Sequence, residues 1–177
     1  MGLPEIFISF QTAAVSAITR SARGVLAVAV KDATAGGAAE AAYKSLAEVP
    51  EDKFSPENYR LLKLAFLAAP TKVWVLRVGE DAEKTYQALE RLRFDWLAAP
   101  GLEDARVMSF IKTLRNGGRG VKAVVANAKA PDCEGIVNLC VSGLTLEDGA
   151  MEAKDYAVRV AALLAALPLT RSATYAN

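Results

Sequence analysis

At 177 residues, 53% of them hydrophobic, the chain carries enough apolar material for one well-buried core and a small satellite. Twenty-one Lys and Arg against 20 Asp and Glu leave a net charge of +1, with neither sign gathered in long blocks; such a balance argues against nucleic acid, which needs many phosphates neutralised from one face. The longest apolar runs, Val25 to Val30 and Ala161 to Leu169, fall short of the about 20 residues that cross a bilayer, and Pro4 and Glu5 interrupt any secretory leader at its start, so membrane insertion is not expected and a cytoplasmic site of synthesis is.

Taken in chain order, Leu3-Pro4-Glu5-Ile6-Phe7-Ile8-Ser9-Phe10 places Ile6, Ile8 and Phe10 at period two, a strand with no turn signal behind it to make a hairpin. A lone terminal strand must borrow an edge, from its own sheet or from another molecule. Val25 to Val30, just after Gly24, is a continuous apolar run suited to a central strand covered on both faces. Residues 32–42 carry little pattern, and Tyr43 to Val49 reads as a short edge strand. Ser55, Pro56 and Glu57 then open a helix whose apolar face is Tyr59, Leu62, Phe66 and Ala69, ending before Pro70. Lys72 to Val78 is the strongest strand signal; Gly79 and Asp81 lead into a helix with Tyr86, Leu89 and Leu92 on one side. Phe94 to Ala99 is the next strand, and Glu103 and Asp104 open a helix with Val107, Phe110, Ile111 and Leu114 at helical spacing, stopped by Asn116-Gly117-Gly118. Val121 to Ala126 and Ile136 to Val141 are further strands, Asp148-Gly149 suits a hairpin turn, and a last helix aligns Tyr156, Val160, Leu163, Leu164 and Leu167. Strand alternating with helix implies right-handed crossovers and an α/β fold, a mostly parallel sheet flanked by helices. The expected division is an arm and linker over 1–24 and an α/β core over 25–177.

Candidate chemistry is sparse. The sequence has no histidine, which removes the usual general base, the usual zinc ligand and the centre of a Ser-His-Asp relay. Cys133 and Cys140 match neither zinc nor redox spacing, and Asp132 and Glu134 disfavour a thiolate, so both read as reduced structural thiols. Gly117-Gly118-Arg119-Gly120 follows a helix and precedes a strand, the reverse of a phosphate loop. Pro100-Gly101 does run from strand to helix, yet Glu103 and Asp104 sit where a phosphate would need to be; the adjacent acidic pairs suit capping instead. Trp74 and Trp96 fall within strands and read as packing residues. Arg20, Arg23 and Arg171 are the candidates for structural ion pairs with carboxylates. No catalytic residue, cofactor or metal site is expected, and the chain does not read as an enzyme. The alternatives in other classes are a small-ligand-binding enzyme on a doubly wound sheet and a monomeric adaptor domain.

Several tracts, taken together and in order, carry a specific resemblance: Gly2 to Ile6, Ala17 to Gly24, Tyr59 to Ala69, Lys72 to Val78, Leu97 to Gly101, Glu134 to Asn138, and Ala165 to Tyr175. They resemble the tail sheath proteins of contractile bacteriophages and of phage-tail-like particles (tailocins) of Gram-positive bacteria, across essentially the whole chain. The resemblance implies a subtilisin-like core without protease activity. It also implies subunits stacked as hexameric rings in a helix around the tail tube protein, bound to baseplate proteins and contracting to drive the tube through a cell envelope. The implied location is the virion tail, after assembly in the host bacterial cytoplasm. In this family terminal arms add strands to a neighbouring subunit's sheet, and Leu3, Pro4, Glu5, Ile6, Phe7, Ile8, Ser9 and Phe10 match the N-terminal arm. Family members run to at least twice this length, so the resemblance implies that the core is incomplete here on its C-terminal side.

Overall fold

The structure is a computed structural model and describes residues 24–127, 129, 131–146 and 149–167. The expected strand Leu3 to Phe10 and the expected ion-pairing residues Arg20, Arg23 and Arg171 lie outside the described residues.

Strand β1 (Val25–Lys31) is the axis of the fold. Its apolar run is continuous because both faces are covered: Val25, Ala27 and Ala29 enter one core cluster, while Leu26, Val28 and Val30 enter the other. β1 pairs in parallel with β3 (Lys72–Val78) along seven residues and with β4 (Trp96–Ala98) along three. β5 (Lys122–Val125) and β6 (Ile136–Asn138) continue the parallel ladder outward. β2 (Glu40–Tyr43) closes the opposite edge, antiparallel to β3. The sheet order is therefore β2-β3-β1-β4-β5-β6, parallel except at one edge, as the alternation of strand and helix predicts. A separate two-stranded antiparallel ladder joins β7 (Thr145–Leu146) to β8 (Gly149–Ala150); of the expected turn Asp148-Gly149, Gly149 is the first residue of β8 and Asp148 lies outside the described residues.

Helices α1 (Pro56–Phe66) and α4 (Ala153–Ala166) cover one face, and α2 (Ala82–Arg91) and α3 (Asp104–Asn116) the other. The chain steps from β1 to β3 through α1, then returns past β1 to β4 through α2. This reversal makes the fold doubly wound, with its switch point between the carboxyl ends of β1 and β4. Local signals set the helix starts: the Ser55 hydroxyl accepts from the Asn58 N–H at 3.2 Å with Pro56 in the first turn, and the Asp81 carboxylate accepts from the Glu83 N–H at 3.0 Å.

Four expectations are corrected. The strand expected over Tyr43 to Val49 ends at Tyr43, where it was expected to begin; Leu46–Glu48 and Glu51–Lys53 form short 3-10 turns instead. Local bonds take the main chain there: the Glu48 carboxylate accepts from the Lys44 N–H at 2.7 Å, and the Val49 N–H closes on the Leu46 carbonyl at 3.0 Å. β6 stops at Asn138 rather than Val141, because the Asn138 side chain pairs with the main chain of Asn127 in both directions, at 3.0 and 2.6 Å. In α1 the buried residues are Leu61, Leu62 and Ala65, with Tyr59 and Phe66 half-buried beside them and Ala69 already past the helix with φ +51°. In α4 the buried face is Ala157, Val158, Ala161, Ala162 and Ala165; the larger Tyr156, Val160, Leu163, Leu164 and Leu167 are only half-buried. α4 lies across β1, β4 and β5 and against α1, and small side chains let a helix backbone approach a sheet and a second helix at once.

Candidate functional site

The place to look for a ligand in a doubly wound sheet is the crevice beyond the strand ends at the switch point. Here that crevice has a volume of about 720 Å3, and its walls include Lys31, Glu80, Tyr86, Glu103 and Arg106. Its floor is closed by direct backbone packing. The Gly101 N–H donates to the Ala29 carbonyl at 2.9 Å, and a Cβ at Gly101 would stand 2.7 Å from the Lys31 nitrogen and 2.8 Å from the Val30 carbonyl carbon. Gly101 is thus required for the α3 entry loop to lie on the end of β1. The charges in the crevice do not converge. The Arg106 guanidinium is paired with Glu83 at 2.8 Å and lies over the Tyr86 ring, and the remaining wall charges are of both signs, Lys31 with Glu80 and Glu103. Burial pushes the Tyr86 hydroxyl up in pKa; Arg106 works against that shift, and Glu103, Glu83 and Asp104 add to it. Glu103, just before α3, puts a carboxylate on the crevice wall; the capping expected of Glu103 and Asp104 is corrected, since the Glu103 side chain makes no cap bond and Asp104 faces Lys154 at 3.9 Å instead. Among the described residues, no group of three or more His, Cys, Asp and Glu is placed to hold a metal ion.

The conspicuous polar groups tie elements of the body together. Asp32, at the end of β1, has a fully buried side chain. It accepts from the Thr34 N–H at 2.8 Å, the Ser55 N–H at 3.0 Å and the Asn58 side-chain amide at 2.8 Å. Arg77, 9% exposed, lies 3.5 Å away. Burial alone would raise the Asp32 pKa, but the bonds from Ser55, Asn58 and Thr34 outweigh it and hold the carboxyl well below the usual range. Arg77 also donates to the carbonyls of Thr34 and Lys53 and stacks 4.6 Å from the centre of the Phe54 ring. The pair therefore joins β1, β3, the irregular segment after β2 and the start of α1.

A second knot lies at the opposite end of β1. One carboxylate oxygen of Asp95 accepts from the N–H groups of both Gly24 and Val25, at 2.7 and 2.9 Å. The Asp95 N–H returns to the Val25 carbonyl at 2.9 Å, and the Thr71 N–H donates to the Gly24 carbonyl at 3.0 Å. Gly24 itself is buried at φ +100°, and a Cβ there would meet both the Ala165 carbonyl oxygen and Thr71 Oγ1 at 3.0 Å.

The glycine cluster at 117–120 has a structural role. Gly118, at φ +84°, ends α3, and Arg119 reaches back to the carbonyls of Glu90 and Leu92 at 2.8 and 2.6 Å, capping the end of α2. Trp74 and Trp96 are half-buried against opposite core clusters, each beneath a lysine, Lys72 and Lys122. Cys133 and Cys140 are free thiols. Asp32, Arg77 and Asp95 were not singled out in the sequence; each is a lone charge at a strand end or within a strand, with partners up to 71 positions away, and local pattern carries no signal for such pairing.

These observations define an α/β body whose prominent polar side chains secure its own chain rather than converge on a reacting group, and its fold is that of the sheath tail proteins. The structure matches the sheath tail protein of Desulfitobacterium hafniense with a TM-score of 0.72 at 14% identity, over 95% of this chain and 64% of that one. It matches the sheath tail protein of Listeria innocua with a TM-score of 0.69 at 17% identity, over 85% and 58%. No family model matches the chain. The chain is a homologue of phage tail sheath proteins: it is 33% identical over 192 aligned positions to the tail sheath protein of Clostridium phage phiCD119, covering 99% of this chain. It spans about half (51%) of that relative's length.

Proposed function

We propose that this chain is the N-terminal part of a structural, non-catalytic subunit of a contractile tail sheath. The subunits would polymerise as stacked hexameric rings around the tail tube, engage the baseplate and shorten to drive the tube through a cell envelope. Its place would be the virion tail. The observation that carries the reading is the alignment to the phiCD119 tail sheath protein over 99% of the chain.

In this reading residues 1–24 are an arm and linker and residue 25 onward is the body. Leu3 to Phe10 adds a strand to a neighbouring subunit's sheet, where main-chain hydrogen bonds hold through any rotation of the bodies. Residues 11–14 serve as the joint. The test is negative-stain microscopy of the full-length subunit that contains this chain, with and without residues 1–12. Long tubular polymers are expected from the first and none from the second; equal polymerisation by both would refute the role of the arm.

A further inference from the structure

We propose that Asp95 is the anchor through which tension on residues 1–23 enters the centre of the sheet. The proposal rests on the reading that those residues link subunits, and it adds the route that load takes into the body. Whatever the segment before Gly24 binds, a pull on it arrives first at the Gly24 and Val25 peptide groups. Both donate to one carboxylate oxygen, at 2.7 and 2.9 Å. Bonds to a charged acceptor are among the stronger hydrogen bonds a protein makes, and Asp95 is itself held in the ladder, its N–H on the Val25 carbonyl and its carbonyl accepting from the Lys122 N–H at 3.0 Å. Gly24 sits in a notch closed by Thr71 and the Ala165 carbonyl, so the chain leaves at a defined point rather than along a sliding path.

The strand behind the anchor suits tensile load. β1 is interior, with parallel partners on both sides and seven register pairs to β3. Pulling its amino end against the carboxyl end of β3 strains that whole ladder together; an edge strand pulled sideways would lose its bonds one by one. Asp95 spreads the load further, because it leads directly into β4 and the Lys122 N–H of β5 bonds to its carbonyl.

The test is force spectroscopy of the 177-residue chain in two geometries. In the first, handles sit at the N-terminus and at residue 80, so the load passes through Gly24; in the second, at residues 80 and 116, it bypasses Gly24. For Asp95→Ala the ratio of unfolding force in the first geometry to that in the second is expected to fall. A general loss of stability would lower both forces and leave the ratio alone. Asp95→Asn, which keeps the shape and one acceptor, is expected to lie between and serves if the alanine variant does not fold. In native-state exchange the Gly24 and Val25 amides are expected to open about tenfold faster in Asp95→Ala relative to the amide of Val75. An unchanged force ratio overturns the anchor whatever the amides do. Because single molecules are pulled, this outcome is independent of whether the subunit polymerises.

Discussion

Asp32→Ala is expected to lower the unfolding free energy by about 3–5 kcal/mol, the range for removing one partner of a buried charge pair. The carboxylate is fully buried, and its loss leaves the charge of Arg77, itself 9% exposed, without a carboxylate partner, takes the acceptor from the N–H groups of Thr34 and Ser55, and leaves the Asn58 amide only the Lys31 carbonyl. Denaturant titration measures the effect, and Asp32→Asn, which keeps an acceptor oxygen, is expected to lose less. The pH dependence has a definite sign. A carboxyl held below its usual pKa in the folded state contributes stability that is complete above the unfolded value, about 4, and is lost as the pH falls through the folded value. Below about pH 4 the unfolded chain binds more protons than the folded one at this site, so stability should decline on acidification. In Asp32→Asn that part of the decline should be absent.

The second large effect concerns the face of α4. Ala161→Leu is expected to destabilise by about 1–3 kcal/mol through overpacking, because Ala161 is fully buried between the helix backbone and the sheet. Leu163→Ala, at a half-buried position, is expected to cost about 1 kcal/mol, part of the transfer free energy of a fully buried leucine. Thermal or chemical unfolding of the two variants decides between the alanine face and the leucine stripe as the one that carries the packing. The reverse order of costs would place the helix the other way round.

That contrast shows where sequence pattern succeeds and where it stops. β1 and β3 were legible because strands buried on both faces must be apolar throughout, and α3 because Val107, Ile111 and Leu114 share one stripe that is indeed buried. The helix starts at Ser55 and Asp81 were legible because capping is local chemistry. In α4, size misled: the large residues mark the more hydrophobic stripe, but close approach to both the sheet and α1 selects the small ones. β2 was misplaced because an exposed edge strand, Glu40-Ala41-Ala42-Tyr43, needs no apolar alternation to pair with β3. The site was the least legible. Asp32 with Arg77, and Asp95 with Gly24 and Val25, are joined by the topology across 45 and about 70 positions, and each looks in sequence like an ordinary surface charge.

The central claim is that Leu3 to Phe10 stitches one subunit to the next, and a high-resolution electron-microscopy reconstruction of the assembled sheath formed by the full-length subunit tests it most directly. The account predicts the main chain of those residues hydrogen-bonded into the sheet of a neighbouring subunit, on the far side of a linker that ends at Gly24. A reconstruction in which they fold back onto their own body, with no neighbour touching them, would contradict it.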